Sequence, residues 1–353
     1  MVSACVMAVG KGRDVGHTSV DPVGDVAARL VSEFYDAFPQ RYARGMQEIP
    51  EVDLAPISVL IREASYSFDG LRVLDAGCGT GAQATSLARQ NPLTTVVGFD
   101  CSAKSIAVAR QSQLLAGLNN VAFSVSSCEA FSSEDPFDLV WCNGVLHHIG
   151  MPAKALGALH KCLTAKGVAA IWVLHRYGHR DIMLKRELVQ RLSYSEAGDW
   201  KTQVRWLDEL NLSIPADRYG HNQLGEDTES VAQTRKADAF LTPYLCPWTF
   251  ADALAHAKQA GFSWLAIDQV TTEKGTRLLA LTSEDDAPPW VTSLTEVFPS
   301  ALVRRRLGEL PIAERLACIE LEMRPRGFLF LAGSEDSFAQ CSPRIRANTC
   351  RLL

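Results

Sequence analysis

The stretch Val73-Leu74-Asp75-Ala76-Gly77-Cys78-Gly79-Thr80-Gly81 limits what this chain can fold into more than any other segment. An apolar run leads straight into three glycines at alternate positions, and a helical pattern follows. Glycine adopts positive φ without steric penalty and lets a ligand approach the backbone, while a helix start presents unpaired N–H groups. A tight turn alone rarely requires three glycines. The segment therefore reads as a strand, a ligand-binding turn and a helix N-terminus. Its GxGxG spacing, with Asp75 two positions before the first glycine, differs from the GxGxxG of dinucleotide-binding turns.

From this point short apolar runs alternate with helical patterns, which is the signature of βαβ units on a parallel sheet. Strands are expected at 72–75, 95–100, 121–125, 139–143 and 168–174, with helices at 81–89, 102–116 and 152–163. Thr80, the pair Cys101-Ser102 and Gly117 are the expected caps. The fold class is α/β, a doubly wound and mostly parallel sheet. In such sheets ligands sit beyond the carboxyl ends of the strands, where strand order reverses. Asp100 ends the second strand, where a carboxylate can accept both hydroxyls of a ribose. Its alternative role is a helix N-cap ahead of Ser102.

Around this core, residues 1–20 have no sustained period and read as a mobile arm. Residues 21–70 read as an N-terminal helical cap, with Val26, Leu30, Phe34 and Phe38 at helical spacing and a further helix at 54–66. The alternation stops at 175–246, a polar, helix-leaning insertion carrying Trp200, Trp206 and Tyr219 that is expected to form a lid over the substrate. It resumes with a helix at 249–260 ended by Gly261 and runs at 262–269 and 277–282, expected to close the sheet as an antiparallel edge. The core is thus 71–174 plus 247–283. Pro288-Pro289 marks a boundary, and 284–353 reads as a helical, partly Arg-rich extension.

Composition narrows the function classes. With 353 residues, 47% of them hydrophobic, the chain can bury a large core. A net charge of -5 argues against a general nucleic-acid binder, although a local basic patch is compatible with it. The sequence contains no apolar run of about 18 residues and no uninterrupted apolar h-region at its start, so the expected location is the cytoplasm, away from membranes. Ten cysteines dispersed without a CxxC pair read as reduced thiols and not as a disulfide framework or a metal site.

Residues 73–81, Phe99-Asp100, Phe137-Asp138-Leu139-Val140 and Gly144-Val145-Leu146-His147-His148 together resemble the successive motifs of class I S-adenosylmethionine-dependent methyltransferases. The resemblance covers about 71–174 and 249–282. It implies a seven-stranded sheet, S-adenosyl-L-methionine as cofactor and S-adenosyl-L-homocysteine as product. It further implies that Gly77, Gly79 and Gly81 pack against the methionine part, with Asp75 supporting the loop and Cys78 and Thr80 within it. Asp100, beside Cys101, would bind the ribose. Ser127, Cys128 and Glu129 fall where the family contacts adenine, and Asn143 falls beside the sulfonium and amino group. Many relatives carry Asp at the position of Ser127, which leaves the adenine amino contact to backbone or to Glu129. Phe34-Tyr35-Asp36, with Tyr42, resembles the N-terminal helix that closes over the cofactor; ordinary packing of aromatics is the alternative.

Methyl transfer is an in-line displacement at carbon, for which alignment within about 3–3.5 Å is the protein's main contribution. A base is needed only when the acceptor arrives protonated. The sheet rule places His147 and His148 after the fourth strand, and His175 and His179 after the fifth, at the active rim. His148, His175 and His179 are the candidate bases, against a structural role for His147-His148 and a solvent-facing loop for His175, Tyr177 and His179. Strand register also places Cys78, Cys101, Cys128 and Cys142 at four strand ends, where they should ring the pocket, so that alkylation inactivates and cofactor protects.

The acceptor is expected to be a small or medium-sized molecule methylated on oxygen or nitrogen. The alternative is a protein or peptide side chain, with Arg304-Arg305-Arg306 docking an acidic partner. RNA modification and a non-catalytic cofactor-binding role come after these. Sequence leaves the oligomeric state open.

Overall fold

A strand from the tail of the chain runs through the middle of the sheet. In this computed structural model, which describes residues 22–39, 68–196, 199–214, 229–281 and 289–352, the strand order is β3-β2-β1-β4-β5-β9-β6-β7-β8, with β10 paired to β6. The strands are β1 (Arg72–Ala76), β2 (Thr95–Asp100), β3 (Val121–Val125), β4 (Phe137–Asn143), β5 (Leu163–Leu174), β6 (Trp264–Thr272), β7 (Gly275–Ala280), β8 (Val291–Ser293), β9 (Gly327–Gly333) and β10 (Thr349–Arg351). The expected arm at 1–20, the helix at 54–66, Tyr42 and Tyr219 lie outside the described residues.

The first five strands follow the sequence reading. β1 pairs in parallel with β2 and β4, β2 with β3, and β4 with β5, so strand order reverses between β1 and β4. The helices Ala82–Gln90, Ala103–Leu115 and Pro152–Lys161 are the crossovers. Two caps differ in detail. Thr80 is not the cap residue: Gly81, which has no side chain to offer, takes the N-cap position with φ 77°. Ser102 is the cap of the next helix, its hydroxyl accepting the Ser105 amide at 3.0 Å.

The closing edge differs from expectation. Gly327 to Gly333 inserts as an antiparallel strand between β5 and β6, pairing Val168 with Gly333 on one side and Trp264 with Gly333 on the other. Every residue of β9 is buried. The run near 277–282 is consequently peripheral, a hairpin partner of β6 extended by β8. The expected seven-strand arrangement is present as β3-β2-β1-β4-β5-β9-β6, and the stretch read as an appended extension completes it. The physical reason is burial: GFLFLAG is a continuous apolar run, the pattern of a strand covered on both faces.

The insertion is helical, with helices Arg180–Leu192, Trp200–Glu209 and Glu229–Leu241. These share one apolar cluster with the N-terminal helix Pro22–Ala37, in which Phe34, Val189, Leu207 and Phe240 are buried together. The N-terminal helix and the insertion therefore pack as one layer over the carboxyl ends of the strands: Ser32 Oγ donates to the Cys101 carbonyl at 2.9 Å, and Ser102 Oγ to Asp36 Oδ1 at 2.6 Å. Among the described residues no helix is long and apolar enough to cross a membrane.

Candidate functional site

The turn after β1 is held from two sides. The amides of Gly77 and Cys78 both donate to the Phe99 carbonyl at 2.8 Å, and the Gly79 amide donates to Asp100 Oδ2 at 3.0 Å. Gly77, Gly79 and Gly81 all have positive φ, at 75°, 54° and 77°. Their surroundings separate them. A Cβ on Gly77 would lie 2.4 Å from a Val145 methyl and one on Gly81 2.7 Å from Ala109, whereas one on Gly79 would meet nothing within 4 Å. Gly79 is thus the glycine that faces open space, with Asp100 directly beside it.

Two carboxyls meet there. Asp100 is no N-cap: it accepts the Ser102 amide on Oδ1 at 2.8 Å while Oδ2 holds Gly79. Burial pushes Asp100 upward against the pull of those two amides. Asp75 is buried, and loss of solvent followed by repulsion from Asp100 pushes it up to about 7, against the Ala84 amide. Asp75 Oδ2 is buried and has no hydrogen-bond partner. An orphaned carboxylate oxygen beside a second carboxylate, at a turn with open space over Gly79, suits a ligand that carries positive charge and hydroxyls.

The remaining strand ends diverge in role. After β3, Ser127 turns the chain by accepting the Ala130 and Phe131 amides at 3.3 and 3.0 Å, and Glu129 is half-buried next to it. Phe131 stacks on Phe99 at 4.2 Å. Asn143 ends β4, half-buried, ahead of Gly144 at φ 78°. The expected ring of thiols does not form. Cys128 and Cys142 are buried in the apolar core, and Cys78 Sγ packs over Gly98. Burial of Cys128 and Cys142 in that core takes both out of the pocket. A hydrogen bond donated to Cys142 and burial raise the Cys128 thiol, burial raises Cys78, and burial with the Asp100 charge pushes Cys101 up to about 12.

The histidines also separate. His148 Nδ1 lies 2.9 Å from the Tyr244 carbonyl, and its ring meets that of Tyr35 edge-on at 5.9 Å. His147 is buried behind it and its Nδ1 accepts the Leu174 amide at 3.3 Å. His175 is neither at the rim nor in a solvent-facing loop. Its Nδ1 accepts the Tyr177 amide at 3.2 Å and its Nε2 meets Glu320 Oε2 at 2.9 Å, an oxygen that also accepts the Phe250 amide at 2.7 Å. Through Glu320, Nε2 ties the end of β5 to the helix Phe250–Gln259 and the helix Ile312–Met323, while Nδ1 is held by the loop that follows. His179 is buried at the start of the insertion. Of Arg304, Arg305 and Arg306, Arg304 donates to the Phe298 and Pro299 carbonyls at 2.7 and 2.6 Å, while the other two are exposed and pair with Glu309 on the surface.

Sequence reasoning did not reach Asp238 or Glu320. Asp238 lies 203 positions from Tyr35, whose hydroxyl donates to its Oδ1 at 2.9 Å, and Glu320 lies 145 from His175; no local spacing signals either pair.

A family model described as a methyltransferase domain matches residues 67–210. A ubiquinone biosynthesis O-methyltransferase of Pseudomonas fluorescens is 30% identical over 160 residues, covering 44% of this chain and 68% of that protein. The chain belongs to the class I S-adenosylmethionine-dependent methyltransferases. A trans-aconitate 2-methyltransferase of Deinococcus radiodurans is 30% identical over 148 residues, covering 42% of this chain and 50% of that protein. The chain spans about half the length of the curated relatives it matches. In fold, the methyltransferase resembles PKMT2 of Rickettsia typhi, with a TM-score of 0.57, 16% identity and coverage of 81% of this chain and 55% of that one. The cofactor of its family, S-adenosyl-L-methionine, is a sulfonium cation with a ribose, and the Asp75, Gly79 and Asp100 cradle fits it on both counts.

Proposed function

We propose that the protein transfers the methyl group of S-adenosyl-L-methionine to oxygen or nitrogen of a small or medium-sized molecule. The observation that carries this reading is the Asp75 and Asp100 pair. The buried Asp75, with an unpartnered carboxyl oxygen, and the half-buried Asp100 beside Gly79 favour a cation with hydroxyls over an anionic ligand at the glycine turn.

In this reading Asp100 accepts the ribose hydroxyls and Gly79 lets the methionine part approach the backbone. Ser127, Cys128 and Glu129 border adenine, Cys128 through its backbone because its thiol is in the core. Asn143 borders the sulfonium and amino group. The bound cofactor supplies an electrophilic methyl group. The chain's own task is to hold the acceptor against it and to take up the acceptor's proton.

His148 is the base in this proposal. Its Nδ1–H donates to the Tyr244 carbonyl, which fixes the tautomer with Nε2 as the basic nitrogen. His175 is assigned to structure, and His179 remains a pocket-wall candidate at the insertion's first helix. The insertion and the N-terminal helix cover the site, consistent with a substrate lid.

Purified protein incubated with radiolabelled S-adenosylmethionine and a cell extract, then fractionated, tests the reading. Label is expected in the metabolite pool. Label in protein or RNA instead, or cofactor binding without transfer to any pool, would replace it with one of the alternative roles.

A further inference from the structure

We infer that Ser32 and Asp36 of the N-terminal helix are positioning residues for the cofactor. They hold the Cys101–Ser102 peptide, and through it the Asp100 carboxylate, in the orientation that receives the ribose. The inference rests on the ribose site proposed at Asp100, and it gives the two residues no contact with the cofactor itself.

The Cys101–Ser102 peptide is held at both ends. Its carbonyl accepts the Ser32 hydroxyl at 2.9 Å, and its amide donates to Asp100 Oδ1 at 2.8 Å. The buried side chain that follows is held as well: Ser102 Oγ donates to Asp36 Oδ1 at 2.6 Å while accepting the Ser105 amide at 3.0 Å. A peptide whose carbonyl accepts a hydrogen bond is a stronger N–H donor, so the Ser32 bond reinforces the one to Asp100. Burial raises Asp100; of the groups that oppose this, the Ser102 amide acts most strongly and the Gly79 amide next, while the Asp36 charge adds to the rise.

Ser32 and Asp36 stand four positions apart, on one face of the helix Pro22–Ala37. A carboxylate in the last turn of its own helix opposes that helix's dipole. Asp36 has a tertiary reason to be there. Its Oδ1 meets the start of the helix Ala103–Leu115, where it also accepts the Lys104 amide at 3.2 Å, and Lys104 Nζ donates to the Asp36 carbonyl at 3.0 Å. A continuous path, Asp36 to Ser102 to Asp100 to Gly79, thus joins the N-terminal helix to the glycine turn. Groups in one such network act together, so the contribution of Asp36 depends on the presence of the Asp100 carboxylate.

Equilibrium dialysis of radiolabelled S-adenosylhomocysteine against the full chain tests this. Ser32→Ala and Asp36→Ala should each weaken binding about three- to tenfold, whereas Asp36→Asn, which keeps an oxygen for the Ser102 hydroxyl, should stay within about twofold. In an Asp100→Ala background the two alanine substitutions should cost less than about twofold, because the carboxylate they position is gone. Wild-type affinity in both alanine variants overturns the inference. Equal losses with and without Asp100 overturn it too, since the helix would then only cover the ligand or support the fold. Should Asp36→Ala fail to fold, Ser32→Ala, which removes a single hydroxyl, carries the same comparison. Failure of the ribose assignment shows separately, as Asp100→Ala that binds like wild type, and it takes the inference with it.

Discussion

Asp100 Oδ2 accepts the Gly79 amide at 3.0 Å, so the carboxylate proposed for the ribose also holds the glycine turn to the end of the neighbouring strand. The two halves of the cradle are therefore one unit. Asp100→Ala should remove two charge-assisted hydrogen bonds to ribose, each about 1.5–3 kcal/mol, and loosen the turn as well. Calorimetry should show S-adenosylhomocysteine affinity falling by more than a hundredfold; unchanged affinity would move the ribose elsewhere.

Asp75 gives the site a pH dependence. Its carboxyl rises from 3.8 to about 7 in the folded protein, so between those values the folded state holds more protons than the unfolded one. The associated stability is full below about pH 4 and is lost as pH climbs through about 7. A bound sulfonium favours the ionised form. S-Adenosylmethionine affinity should therefore rise with pH up to about 7 and then level, with proton release on binding visible as a buffer-dependent heat. Asp75→Asn should flatten the profile.

The two glycines predict opposite phenotypes. Gly77→Ala drives a methyl into Val145 at 2.4 Å on top of a left-handed φ, and should lower Tm by several degrees. Gly79→Ala meets no neighbour, so its cost to the fold is limited to φ strain of about 1 kcal/mol. It should weaken cofactor binding more than stability. Thermal melts set beside binding isotherms for both variants decide this.

Glu320→Ala leaves His175 and the Phe250 amide buried without their shared acceptor, at roughly 1–3 kcal/mol for each group. A large drop in Tm is expected, with kcat at a permissive temperature within a few-fold of wild type. His148→Ala removes one buried hydrogen bond, so its Tm should fall less than that of Glu320→Ala while kcat drops by about 10²–10⁴. A loss of kcat in Glu320→Ala with Tm preserved would return His175 to the chemistry.

Much of this was legible because it is local. Periodicity located the first five strands, since their apolar runs and the glycine turn lie within the few residues that form them. β9 carried a readable signal as well, seven apolar or small residues in a row, but it lies in a stretch whose charged neighbours read as helix. The histidines show where local reading stops. His175 follows β5 as His148 follows β4, yet one faces the Tyr35 ring and the other is sealed by a glutamate from the tail.

The alternation of apolar runs with helical patterns determined the fold class and the end of the sheet that carries the site, and residues 73–81 with Asp100 carried the resemblance that implied the cofactor, because these signals act over a few ångströms of contiguous backbone. Only the tertiary structure decided that β9 completes the sheet, that Cys128 and Cys142 turn into the core, and that Tyr35 meets Asp238. Those outcomes depend on which distant segments bury one another, and burial is a property of the assembled chain.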